Sequence, residues 1–197
     1  MSSTKIKVFK SLAAEAEKCT VCPDLADKKA VLSNLNGNIS PKVLFVAEAP
    51  GRQGADRTRR PFWGDKSGEN FQVLLDSIDL KREEIFITNA VMCSPRKPNG
   101  ANRRPKMSEI RNCSSFLKRT IDLIDPPVVA TLGTVALGAL DSLEEHGLKI
   151  KDAVAKPVAW YGRILVPFYH PSPQVIAAIR KLDQQVADYA DLGKLIE

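Results

Sequence analysis

Apolar positions along this chain follow two periods in turn. Ile6, Val8, Phe9, Leu12, Ala13 and Ala16 recur at helical spacing, so residues 5–18 are predicted to form a helix. Val43-Leu44-Phe45-Val46-Ala47 is a short unbroken apolar run, the pattern of a strand covered on both faces. It stops at Glu48-Ala49-Pro50-Gly51, a turn. Phe71, Leu74, Leu75 and Ile78 predict a helix over 71–78, and Ile85–Asn89 a second strand. Met107, Ile110, Cys113, Leu117, Ile121 and Ile124 predict an amphipathic helix over 107–124, which Pro126 and Pro127 end. Val128–Leu132 reads as a third strand, and Gly133 turns the chain into a helix around 134–140. Val158–Trp160 and Ile164–Pro167, on either side of Gly162, read as a hairpin or as a strand with a short lead-in. Val175, Ile179, Leu182, Val186 and Tyr189 form one stripe of a C-terminal helix. Strands alternating with helices give an α/β class with a mostly parallel sheet.

Composition adds bounds. The 197 residues, 44% hydrophobic and 26% charged, suit one packed domain over 1–197. The N-terminal helix and its Cys-x-x-Cys segment, about 1–25, are a possible appendage. No apolar run approaches the ~18 residues of a membrane span, so no membrane partner is expected. Met1-Ser2-Ser3-Thr4-Lys5-Ile6-Lys7 lacks the pattern of a secretory leader, and a cytoplasmic, monomeric protein is expected. Lys and Arg number 29 against 23 Asp and Glu, a net charge of +6, which fits a polyanionic partner. Two basic segments concentrate the excess: Arg52, Arg57, Arg59 and Arg60, then Arg96, Lys97, Arg103, Arg104 and Lys106. Both contain Pro or Gly and read as loops.

The four cysteines are Cys19, Cys22, Cys93 and Cys113. Cys19-Thr20-Val21-Cys22 lets two thiolates converge on one metal, and Pro23 takes the chain out of any helix. Four thiolates fit a tetrahedral zinc or a 4Fe–4S cluster, and spacing alone leaves both open beside four free thiols.

Ligands of open α/β sheets bind at the carboxyl ends of the strands. Three such ends carry chemistry: Glu48, Asn89 and His170, the last within Tyr169-His170-Pro171-Ser172-Pro173. A carboxylate, a carboxamide and an imidazole would thus meet in one pocket. His146, beside Glu144 and Glu145, reads as an exposed helix end with no role. The chain has no P-loop, no G-x-G-x-x-G and no H-E-x-x-H.

Ala47-Glu48-Ala49-Pro50-Gly51, Arg60-Pro61-Phe62-Trp63-Gly64, Thr88-Asn89-Ala90-Val91-Met92-Cys93-Ser94-Pro95, Asn102-Arg103-Arg104-Pro105 with Glu109 and Cys113, Leu132-Gly133 and Tyr169-His170-Pro171-Ser172 together resemble the family 4 uracil-DNA glycosylases. The resemblance runs from Cys19 to Ser172. It implies a three-layer α/β/α sandwich around a four-stranded sheet, a structural 4Fe–4S cluster on Cys19, Cys22, Cys93 and Cys113, and hydrolytic removal of uracil from single- or double-stranded DNA. The chemistry of the residues agrees with it. A base must be flipped out of the duplex to be reached. Phe62 offers a ring for it to stack on, with the adjoining Trp63 open to that place or to the core. Asn89 can accept from uracil N3–H and donate to O4, the reverse of cytosine's pattern. His170 can donate to O2 as negative charge leaves with the base, backbone N–H groups around Ala49 can add to that, and Glu48 is the nearest acid for the sugar side. Arg52, Arg103, Arg104, Ser172 and Gln174 are the candidate DNA contacts, the last two at a helix start whose amides could hold a phosphate.

This chain departs from the family at several points. Ala47 stands where Gly is usual. Ala49 takes the place of the water-activating Asp or Asn of better-known glycosylases, and Gly51 that of an aromatic ring that excludes thymine. The segment Arg52–Arg60 is Arg-rich, and the Cys93–Cys113 connection is long. The second loop has no His of the kind that attaches covalently to DNA, so ordinary turnover is expected. Two alternatives stand beside this reading: a glycosylase of the same superfamily for another deaminated base, and a non-catalytic iron–sulfur DNA-binding module. An electron carrier would have no use for Glu48, Asn89 and His170 at strand ends.

Overall fold

In the computed structural model, which describes residues 3–197, a single twisted sheet is covered on both faces by helices. Met1 and Ser2, at the head of the stretch read for a leader, lie outside the described residues. The strands are β1 (Val43–Ala47), β2 (Ile85–Asn89), β3 (Val128–Leu132), β4 (Val158–Trp160) and β5 (Arg163–Phe168), and they lie in the order β2-β1-β3-β5-β4. The first four are parallel, in register Val43 with Ile85 and Val128, and Val128 with Ile164. Every residue of β1, β2 and β3 is buried, which is why those strands read as unbroken apolar runs.

The sheet has five strands rather than the expected four. β4 pairs antiparallel with β5 through a two-residue turn, Tyr161-Gly162, with φ of +49° and +68°. Positive φ at both positions matches the right-handed twist of a tight hairpin. Three residues with a largely open face are a weak period-2 signal, and a short edge strand of this kind resists edge pairing.

One face of the sheet packs against α1 (Ser3–Glu17), α4 (Met107–Ile124) and α5 (Thr134–Leu140); the other packs against α3 (Lys66–Asp76) and α8 (Leu182–Ile196). α1 sends Phe9, Leu12 and Ala16 into the first core. Phe9 meets Phe86 edge-on at 5.6 Å, and Glu15 takes a fork from Arg119 of α4 at 2.8 and 2.6 Å. In the second core Phe71 contacts Phe45 at 5.1 Å, and Tyr189 lies tilted against Phe168 at 4.6 Å. Short helices α2 (Ala55–Thr58), α6 (Ile150–Ala153) and α7 (Pro173–Ala178) complete the chain. Among the described residues no helix is long and apolar enough to cross a membrane.

Four local expectations change. α3 begins at Lys66 rather than 71, because Asp65 caps it by accepting from the Gly68 N–H at 2.9 Å. The first basic segment is not all loop, since α2 lies inside it. The C-terminal stripe belongs to two helices. α7 stops at Ala178, Ile179 turns outward at 62% exposure, and α8 restarts with the Lys181 N–H capped by the Gln184 side chain. His146 points inward: Nδ1 accepts from the Leu148 N–H at 3.0 Å and Nε2 lies 2.9 Å from the Leu137 carbonyl.

Phe71 touches both the sheet and the Phe62 loop and is fully buried. Phe71→Ala is expected to cost about 3–5 kcal/mol of unfolding free energy, read by urea denaturation. A loss under about 1 kcal/mol would mean that this packing does not hold the second core.

Candidate active site

The carboxyl ends of β1, β2, β3 and β5 open into one cleft of about 630 Å³. Glu48, Ala49, Phe62, Asn89 and His170 all line it, with Arg52, Arg103, Ser172 and Gln174 toward its mouth. Arg104 is exposed and does not line the cleft, although its charge acts on Glu48.

Each group is fixed by the strand that delivers it. The ladder between β1 and β2 runs two residues beyond the strands, with the Ala90 N–H on the Ala47 carbonyl at 2.8 Å and the Val91 N–H on that of Glu48 at 3.1 Å. This sets Glu48 beside Asn89. Asn89 is 4% exposed, and its Nδ2 is buried without a hydrogen-bond partner among the described residues. An unpaired buried donor costs about 1–3 kcal/mol, so the carboxamide is held ready for an acceptor that enters the cleft. Burial pushes the Glu48 carboxyl up, and the Arg104 charge draws it partly back. His170 stands at the end of β5 with its ring 5.5 Å from that of Phe62, and burial depresses it to about 4. It is therefore a neutral imidazole at neutral pH, a hydrogen-bond donor that carries no charge of its own.

Phe62 is held in an uncommon backbone state, with φ of +50°. What holds it is not visible in the local pattern of the chain. Arg82, just before β2, donates to the carbonyls of Pro61 at 3.1 Å and Phe62 at 2.6 Å. Its guanidinium also lies 5.3 Å from the ring of Phe71, which packs 4.6 Å from Phe62. Burial lowers Arg82 only to about 10, so the fork stays charged. On the other side α3 presses close: a Cβ on Gly68 would come within 2.5 Å of the Phe62 carbonyl oxygen. The fork and the close packing fix one pose of the ring. Asn70 of α3 also donates to the Pro171 carbonyl at 2.9 Å, anchoring the turn that carries His170. Arg82 sits outside the motifs, and Asn70 reads as one more polar position on a helix.

The basic segments turn inward more than their charge suggested. Arg103 forks onto Glu109 at 2.8 and 2.5 Å and also donates to the Arg96 and Arg104 carbonyls, which leaves little of it to reach outward. Arg96 pairs with Asp56, and Arg59 donates to the carbonyls of Lys29 and Ala30. The Arg52 N–H donates to the Asn102 side chain at 3.0 Å, joining the two loops across the mouth. Ser172 precedes and Gln174 lies in the first turn of α7, a six-residue helix with Pro173 at its first position, where an N–H is missing.

The cysteines gather on the α1–α4 side. Cys19 and Cys22 follow α1, and Pro23 opens a 3-10 turn there. Cys93 follows β2, and Cys113 lies in α4. Burial, reinforced by the other thiols of the set, pushes Cys93 up to about 12; burial pushes Cys113 to about 11. The Asn112 side chain donates to Cys22 Sγ at 3.4 Å. Among the described residues no group of three or more His, Cys, Asp or Glu is close enough to hold a single metal ion.

The family model of the Uracil DNA glycosylase superfamily matches residues 36–192. A type-4 uracil-DNA glycosylase of Thermotoga maritima is 32% identical over 86% of this chain and 84% of its own. One of Archaeoglobus fulgidus is 31% identical over 92% and 89%. A type-5 uracil-DNA glycosylase of Pyrobaculum aerophilum is 28% identical over 79% and 78%.

The depressed His170 predicts its titration. The unfolded chain takes up this proton near 6.5, whereas the folded chain resists until about 4. The stability from the neutral ring is thus whole above 6.5 and is lost as pH falls toward 4. Nitrogen-15 shifts of His170 should report a neutral ring at pH 6. A protonation midpoint at or above 6 would contradict the burial of this side chain.

Proposed function

The chain belongs to the uracil-DNA glycosylase superfamily, and from that premise we propose that it excises uracil from DNA as a monofunctional hydrolase, with Asn89 reading the base and His170 receiving its charge. The observation that carries this reading is the buried, unpartnered Nδ2 of Asn89, in the same cleft as the neutral imidazole of His170 and the ring of Phe62. A uracil flipped into the cleft stacks on Phe62, accepts at O4 from Asn89 Nδ2 and donates its N3–H to Asn89 Oδ1. Cytosine would set its amino group against that same donor.

Hydrolysis breaks the N1–C1′ bond, and the electron pair leaves with the base. Negative charge gathers on N1 and O2, and positive charge on the sugar. The neutral His170 donates to O2 as that charge forms. Such a preorganised donor is worth about 3–4 kcal/mol in the transition state. Water adds to C1′ on the sugar side, where Glu48 is the carboxylate at hand. Arg104 helps keep it ionised, and an ionised carboxylate stabilises the cationic sugar.

The donor chemistry of the cysteine patch fits a 4Fe–4S cluster: four thiols, with an amide hydrogen bond to one sulfur. Cys19, Cys22, Cys93 and Cys113 would hold it, tying the end of α1 to α4 and to the loop after β2. Such a group supplies cross-linking here, since hydrolysis moves no electrons between redox centres. Arg52, Arg104, Ser172 and Gln174 are the proposed DNA contacts, and Arg103 serves mainly to brace its loop against Glu109.

An oligonucleotide containing one uracil, incubated with the protein and then heated in alkali, should break at that position only after the alkali step. Binding without any break would support a non-catalytic module instead, and an SDS-stable protein–DNA adduct would overturn ordinary turnover. His170→Ala should slow single-turnover excision by about 10²-fold or more, and Asn89→Asp should lose discrimination of uracil from cytosine. A His170→Ala rate within a few-fold of the parent would remove the imidazole from catalysis. The protein purified without air should absorb near ~400 nm and carry iron and sulfide, and Cys93→Ala should lose both. A colourless, iron-free protein with full activity would refute the cluster.

A further inference from the structure

Among the described residues Trp63 is the one exposed aromatic side chain, with 47% of its surface open. Exposed indole is costly in water, and this one is held in place. The Arg60 guanidinium lies 3.9 Å from the ring centre, a cation–π contact on one face of the ring. Arg60 has no hydrogen-bond or ion-pair partner for its guanidinium among the described residues. It also stands near enough to Arg82 for their charges to repel, with Glu83 offsetting part of that charge. The loop backbone beneath is braced. Thr58 Oγ1 donates to the Trp63 carbonyl at 3.3 Å, and Arg57 donates to that of Gly64 at 3.1 Å.

The position of the pair is informative. Phe62 on one side of Trp63 lines the cleft, and so do Asp65, Lys66 and Ser67 on the other. Trp63 itself does not, and Arg60 lines the neighbouring groove beside α1 with Arg82 and Glu83, so the pair stands outside the cleft, on the loop whose Pro61 and Phe62 wall it. A nucleotide flipped into the cleft brings its flanking nucleotides to the surface around it. Bases in single-stranded DNA have free faces, whereas those of a duplex are stacked on one another. An open indole backed by a guanidinium is a sequence-tolerant platform for such a base, worth about 1–3 kcal/mol per stacked base, and the guanidinium edge suits an adjoining phosphate.

We propose that Arg60 and Trp63 form a stacking platform for a base of single-stranded DNA outside the cleft, on the loop that walls it, which gives this chain a grip on single strands that it lacks on duplex. The proposal rests on DNA being the ligand of the cleft, and it deepens that reading by naming the form of DNA favoured.

The test uses intrinsic fluorescence. The chain has two tryptophans. Trp160 is 2% exposed, with its N–H on the Glu144 carbonyl at 2.8 Å, so a change in emission on binding reports Trp63. A uracil-free oligothymidylate should quench the emission at low salt, and the same strand annealed to its complement should quench it much less. Trp63→Ala should weaken binding to the single strand by about 10-fold and to the duplex by less than about threefold, while Trp63→Tyr should keep most of the single-strand affinity. Unchanged emission at saturation, with binding seen by anisotropy of a labelled strand, would overturn the platform. Equal weakening of both DNA forms in Trp63→Ala would overturn it too. Excision of uracil by the unaltered chain is a separate readout, so the earlier reading can fail or stand whichever way the quench falls.

Discussion

The arrangement of this molecule turns on one amide group. Asn89 closes β2 with its Nδ2 sealed from water and given nothing to donate to. A folded chain tolerates such a group only when the rest of the structure over-determines it, at a cost of about 1–3 kcal/mol. Here the sheet does so. Asn89 sits in register with Ala47, the ladder continues past both strands, and three neighbouring strand ends close the cleft around it. The same enclosure that leaves the amide unsatisfied also keeps His170 neutral and raises Glu48. Desolvation is thus the common cause of all three properties on which the proposed chemistry draws.

The walls of the cleft are held from outside it. Arg82 grips the Pro61 and Phe62 carbonyls, α3 crowds the same peptide through Gly68, and Asn70 ties down the turn after His170. None of these three side groups needs to touch a ligand. They convert two loops, which would otherwise sample many conformations, into fixed walls. The long basic connection is handled in the same way. Arg103 and Arg96 are drawn onto Glu109 and Asp56, so part of the positive excess that reads as DNA affinity is spent on loop structure.

Much of this was legible in the chain itself. The three unbroken runs of β1, β2 and β3 are visible because parallel strands buried on both faces leave no polar position. Glu48, Asn89 and His170 are visible because strand ends are where α/β sheets place their chemistry. What escaped has identifiable reasons. β4 is three residues long, too short for its alternation to register. Ile179 fits the helical stripe of its neighbours, yet the break at Ile179–Lys181 depends on tertiary packing of Tyr189 and on the Arg180–Asp188 pair. His146 looked exposed because acidic residues precede it, while its ring is taken inward by two backbone partners. Arg82 and Asn70 act through backbone carbonyls far along the chain, and no local pattern encodes such a bond.

The central claim is that the Asn89 carboxamide waits for the edge of a uracil. The most direct measurement is nuclear magnetic resonance of the protein carrying nitrogen-15 in its asparagine side chains, titrated with free uracil and, separately, with free cytosine. The account predicts a saturable downfield shift of the Asn89 amide protons with uracil, as Nδ2 gains its missing acceptor, and no such shift with cytosine. Unmoved Asn89 amide protons, while resonances of Phe62 and His170 respond to uracil, would contradict it.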